Sequence, residues 1–179
     1  MESSFRIAES HIGGDVVAEL NAASEVDAAR MLSHCLDVPR WIEEVLQHRP
    51  FTDAQSLRRT IAHAAAPLTE DEIRRALAVH PRIGERPGGE DVAARHASAE
   101  QSGVDISGEG IEQRLRAGNL AYENRFGQVF LIRAAGRNAE EVLRALGDRL
   151  GNDRQTEAAV VEHELREIAA VRATGSLEP

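Results

Sequence analysis

At 179 residues the chain is long enough for one domain to close a hydrophobic core, and 42% hydrophobic with 28% charged residues is ordinary globular composition. Aromatics make up only 3%, so Leu, Ile, Val and Ala must fill the interior, which suits packed helices better than a sandwich. A formal charge of −9, with arginine as the sole basic residue type, argues against a nucleic-acid partner and against an acidic membrane surface.

Cys35 is the single cysteine, so no intramolecular disulfide can form and a reducing compartment is expected. No apolar run approaches the roughly 20 residues of a membrane helix. The start, Met1-Glu2-Ser3-Ser4-Phe5-Arg6, has no signal-peptide core, so a cytoplasmic protein is expected.

In chain order, the first dozen residues carry the weakest pattern. Pro39, shortly after Asp37, reads as the opening proline of a helix through Arg40-Trp41-Ile42-Glu43-Glu44-Val45-Leu46. Thr52 with Gln55, Thr69 with Glu72, and Asn138 with Glu141 each have the spacing of a capping box or its relatives. Leu57 with Ile61, and Ile73 with Leu77, give the following helices apolar stripes. Ile111, Leu115, Tyr122 and Phe126 mark one face of a long helix stopped by Gly127. Val142, Leu143, Leu146 and Leu150 mark another, stopped by Gly151. Only Gln128 to Ile132 looks like a strand, and with no partner it reads as an extended segment between helices. Pro87-Gly88-Gly89 and Gly103 to Gly110 read as flexible loops, too short to be domain linkers. The expectation is an all-α, single-domain multi-helix bundle over residues 1–179, with its core over about 21–172 and one short extended segment.

Three groups interrupt the helical pattern. His80 precedes Pro81, which disfavours the helical region, so the Thr69-capped helix should end at about His80. Ile73, Leu77 and His80 are spaced i, i+4, i+7, which aims the imidazole along the apolar stripe. A helix C-terminus favours the imidazolium by roughly 0.3–1 kcal/mol, so His80 would be poised as a proton donor near neutral pH. A lone histidine is more often a core-edge residue bonded to a carbonyl. Glu100-Gln101 pairs an acid with a primary amide, able to read a ureide edge because Glu accepts and Gln both donates and accepts; a solvated helix face is the commoner role. Arg172 continues the stripe of Val161, Leu165 and Ile168, where an arginine either snorkels or meets a buried anion. Arg133 and Arg137, flanking Ala134-Ala135-Gly136, are further anion-binding candidates.

Together these motifs resemble one family. His80-Pro81-Arg82-Ile83-Gly84 is similar to the HPxLG/HPRIG signature of OHCU decarboxylases, which act on 2-oxo-4-hydroxy-4-carboxy-5-ureidoimidazoline (OHCU) in urate breakdown. Glu100-Gln101 follows at the family's spacing. Asn119 to Gly127 resembles its N-xx-Y-xx-(R/K)-F-G element, and Phe130 to Arg137 the element after it. The resemblance runs from about Asn21 to Arg172. It implies an α-helical homodimer with no cofactor and no metal, acting on a small anionic ureide substrate. It implies His80 as catalytic proton donor, with Glu100 orienting the ureido group or His80 itself. Pro81, Gln101 and position 97 would contact substrate. Ile132, Arg133, Ala134, Ala135 and Gly136 would form the opposite wall through backbone groups, and Arg172 matches the family's late arginine. Ala97 stands where the family carries Ser. The implied loss is one hydrogen bond of about 0.5–1.5 kcal/mol, a tuning effect; the neighbouring Ser98 is turned by about 100° on a helix.

Two other readings compete. His96 and Glu100, spaced i, i+4, would join His80 as the His₂Glu set of a metal-dependent hydrolase, although no HExxH pattern accompanies them. Alternatively, the chain would be a non-catalytic helical module that binds ureides.

Overall fold

A computed structural model describes residues 16–80, 82–83 and 110–175. Among them are eight helices: α1 (Val16–Ala22), α2 (Glu25–Cys35), α3 (Pro39–Gln47), α4 (Ala54–His63), α5 (Glu70–Leu77), α6 (Ile111–Phe126), α7 (Ala139–Leu150) and α8 (Arg154–Thr174). No strand occurs among the described residues. The expected all-α class holds.

Side-chain caps set most of the helix starts. Thr69 with Glu72 and Asn138 with Glu141 form reciprocal capping boxes at α5 and α7, as their spacing predicts. The box expected from Thr52 and Gln55 lies one residue later. The Asp53 carboxylate accepts from Ser56 N at 2.6 Å, and Ser56 Oγ accepts from Asp53 N at 3.2 Å. A carboxylate is the stronger acceptor for the unpaired amides of a first turn. Pro39 occupies the first turn of α3 as expected, but its N-cap is Val38, which makes no side-chain cap. Asp37 instead pairs with Arg75 on α5 at 3.1 Å. Gly127 ends α6 with φ +73°, a left-handed conformation open to glycine at little steric expense.

α5 stops at Leu77, short of His80. Ala78 N donates to both Arg74 O and Arg75 O at 3.2 Å, and His80 N donates to Leu77 O at 3.0 Å. The last turn thus tightens ahead of the pre-proline position.

α8 is the organising rod. It packs against α1, α2, α4 and α5, and its Val161, Leu165 and Ile168 enter a core with Trp41, Leu57 and Ile61. Arg166, buried on the same helix, donates to Ile61 O and Ala64 O, and so satisfies carbonyls at the end of α4. α6 and α7 pair around a second cluster with Leu115, Tyr122, Val142 and Leu146. They meet closely at Gly118, where a Cβ would stand 2.4 Å from Leu146 Cδ2.

The segment linking α6 and α7 runs between the two clusters. Val129 and Leu131 pack into the α8 core, whereas Phe130, Ile132 and Ala134 pack into the α6–α7 cluster. That alternation has the period of two expected of an extended chain. The sequence-based reading of Gln128 to Ile132 as an extended segment therefore holds.

Candidate functional site

His80 is 8% exposed, three residues beyond the end of α5. Its Nδ1 lies 2.9 Å from Ala76 O, one of the last helical carbonyls. A carbonyl only accepts, so Nδ1 carries the hydrogen and Nε2 is the nitrogen left to exchange a proton. His80 is thus a carbonyl-anchored histidine with one nitrogen committed and the other buried.

His80 lines a cavity of about 310 Å³ together with Arg172, Cys35, Leu36, Asp37 and Val79. Arg172 arrives from the last turn of α8, half-buried, and its Nη1 donates to His34 O at 3.4 Å at the end of α2. Burial pushes the Cys35 thiol up to about 11, partly offset by the nearby Arg172 guanidinium. At neutral pH the cavity therefore presents a thiol, not a thiolate. The structure thus brings together His80 and Arg172, which lie 92 positions apart in sequence.

Ile132 to Gly136 do not line that cavity; α8 links the two places. Glu164, two turns before Arg172 on α8, accepts a hydrogen bond from Arg133 N at 2.7 Å. Leu131 O accepts from Arg149 Nη1 at 2.6 Å, and Arg133 O from Arg137 Nε at 3.2 Å. Ala134 O accepts from Arg137 N at 3.0 Å. The N–H groups of Ile132, Ala134, Ala135 and Gly136 have no hydrogen-bond partner among the described residues. Ile132 and Ala134 are buried, and a buried amide needs a partner, water or ligand. Arg137 braces this segment through its Nε and its own amide.

A buried polar network holds this segment from behind. Glu157, 1% exposed, accepts from Tyr122 Oη, from Arg149 Nε at 2.8 Å and from Asn152 Nδ2 at 2.8 Å. The Arg149 guanidinium lies 4.7 Å from the Phe130 ring centroid. Burial and the neighbouring Glu157 raise the Tyr122 phenol well above its ordinary range, so it stays a donor. Ahead of α6, Arg82 pairs with Glu123, and Asn119 Nδ2 donates to Ile83 O at 3.0 Å, tying the motif after His80 onto α6.

Pro81, Gly84, His96, Ala97, Ser98, Glu100 and Gln101 lie outside the described residues, as do residues 1–15, the loop at 87–89 and most of that at 103–110. The substrate contacts expected of them and the His80–His96–Glu100 metal set therefore have no geometry here. Among the described residues no group of three His, Cys, Asp or Glu side chains gathers as for a metal ion. No described helix is long and apolar enough to cross a membrane. Arg149, Glu157 and Glu164 went unnoticed in the sequence. Glu164 had a faint signal, since it shares the four-residue spacing of Ile168 and Arg172. Arg149 and Glu157 had one too, since Arg149 follows Val142 and Leu146 on the stripe of α7 and Glu157 precedes Val161 by four on that of α8; that the two meet is what no spacing showed.

In this all-helical fold a carbonyl-anchored histidine and a helix-borne arginine share one small cavity. The chain belongs to the OHCU decarboxylase family, whose model matches residues 21–174. It is 23% identical over 155 residues to a uric acid degradation bifunctional protein of Bacillus sp. (strain TB-90), covering 86% of this chain and 30% of that protein. The chain thus spans less than a third of that relative's length. To the 2-oxo-4-hydroxy-4-carboxy-5-ureidoimidazoline decarboxylase of Amia calva it is 29% identical over 126 residues, covering 69% of this chain and 72% of the other. The crystal structure of an OHCU decarboxylase in the presence of (S)-allantoin superposes with a TM-score of 0.63 at 22% identity, over 86% of this chain and 97% of that one.

Proposed function

We propose that this chain is a single helical domain that decarboxylates OHCU to (S)-allantoin, with His80 as proton donor and without a cofactor. The observation that carries the reading is the buried His80, its Nδ1 committed to Ala76 O, in the same cavity as Arg172. The substrate's own chemistry makes the reaction accessible. Its carboxylate sits on a ring carbon beside a C=N bond. As the bond to CO₂ breaks, its electron pair forms a C=C bond to that neighbouring carbon, and the C=N pair moves to nitrogen, which takes a proton. The enol left behind becomes the carbonyl of allantoin once the ureido-bearing carbon is protonated. The protein need supply only orientation, an anion site and a proton on one face.

In this reading Arg172 binds the carboxylate and Nε2 of His80 delivers the proton. Backbone amides of Ile132 to Gly136 pair with the ureido group. Pro81, Glu100, Gln101 and position 97 complete the contacts, as the family resemblance implies. The same resemblance supports a homodimer, and a lone cysteine, Cys35, with no second thiol to pair with supports a cytoplasmic setting.

The test is to generate OHCU with urate oxidase and hydroxyisourate hydrolase, then follow its conversion to (S)-allantoin by circular dichroism. His80→Asn should fold normally and lose about 10²–10⁴-fold in rate, the usual contribution of a general acid–base group. A folded His80→Asn variant with the wild-type rate would overturn the assignment.

A further inference from the structure

We infer that Glu164 is a positioning residue, which holds the 131–134 segment so that the amides of Ile132 and Ala134 face a ureide. This rests on the proposed placement of the ureido group at that segment. In an extended chain successive residues send their N–H and C=O groups to opposite edges. Glu164 takes the N–H of Arg133, while Arg149 and Arg137 take the carbonyls of Leu131 and Arg133. One edge is therefore occupied by the protein. The other carries the N–H groups of Ile132 and Ala134, which lie in buried residues and have no partner among the described residues. An edge offering amide donors matches the carbonyl of a ureide, and the C=O of Ile132 matches its N–H groups.

Glu164 is the tether that ties this edge to the other end of the site. It stands eight residues before Arg172 on the same helix, about 12 Å along the axis at 1.5 Å per residue. α8 thereby sets both the guanidinium in the His80 cavity and the position of the amide edge. A slip of the segment by one residue would turn the tethered groups toward the ligand and the free ones away. The carboxylate is needed as an acceptor and not as an acid, so an amide oxygen in its place should serve.

The experiment compares Glu164→Leu, which removes the acceptor, with Glu164→Gln, which keeps one. The readouts are (S)-allantoin affinity by calorimetry, kcat and KM on OHCU across pH, and amide hydrogen exchange at residues 132–134. Glu164→Leu should weaken allantoin binding and raise KM by about 3- to 10-fold, the size of one hydrogen bond, with less effect on kcat and faster exchange. Glu164→Gln should bind and turn over nearly as the wild type, with an unchanged pH profile. Equal damage from both variants, or a pH limb lost in Glu164→Gln, would make Glu164 a charged participant and overturn the inference. So would unaltered binding and exchange in Glu164→Leu. If the wild-type protein failed to turn over OHCU, the proposed reaction would fall, while allantoin affinity and exchange would still decide the role of Glu164.

Discussion

Replacing Glu157 with glutamine isolates the buried network behind the amide edge. The substitution preserves shape but removes the charge facing Arg149, whose side chain is only 8% exposed. Glu157 now accepts from Tyr122, Arg149 and Asn152; a glutamine oxygen can accept from some of these but leaves the guanidinium without a counter-charge. Breaking a buried pair on one side typically destabilises by 3–5 kcal/mol. Because glutamine keeps one acceptor, we expect the lower end, about 3 kcal/mol. For a chain of this size that lowers Tm by about 6–12 °C. Urea unfolding followed by far-UV circular dichroism measures the loss, with an unchanged m-value showing that the midpoint shift reports stability and not a change in the surface exposed on unfolding. Tyr122→Phe should cost about 1.5–3 kcal/mol, because its hydroxyl donates to the charged Glu157 carboxylate. The double replacement Arg149→Met with Glu157→Leu should recover much of the loss, since no charge is then stranded. A Glu157→Gln variant destabilised by less than about 1 kcal/mol would refute the reasoning, because it would mean that Arg149 finds solvent.

Two further outcomes follow from the geometry. Arg172→Gln should fold normally and lose roughly 10- to 150-fold in kcat/KM on OHCU, the range for a hydrogen bond to a charged group; initial rates at wild-type KM would remove Arg172 from the anion site. Glu72 is held down from 4.5 to about 2, first by its hydrogen bond with Arg40 and then by the Thr69 backbone amide. Its folded value lies below the unfolded one, so its contribution to stability is complete above about pH 4.5 and is lost as pH falls toward 2. Glu72→Gln should flatten the acid side of the stability profile measured by urea midpoints, and an unchanged slope between those pH values would contradict the pairing.

Much of the fold was legible in the sequence because its signals are local. The Thr69–Glu72 and Asn138–Glu141 boxes act within one turn, and the stripes of α6 and α8 follow from a 3.6-residue period alone. The start of α4 lies one residue beyond the Thr52 spacing because Thr52 and Asp53 are both competent caps, and only the realised bond to Ser56 N separates them. The end of α5 was placed late for a similar reason. A proline forbids continuation but does not say how many residues earlier the last turn tightens.

The site divides along the same line. His80 stood out through its neighbours in sequence, and Arg172 through its place on an apolar stripe. That these two meet in one cavity, with Cys35 at its wall, depends on how α8 lies across α2 and α5, which no spacing encodes. Local hydrogen bonding and periodicity therefore determined which elements form and which side chains leave their pattern. Only the tertiary structure decided that Glu164 and Arg149 tether one edge of the 131–134 segment, because those bonds join residues 18 to 31 positions apart, and their geometry exists only after the two apolar clusters have packed against that segment from opposite sides.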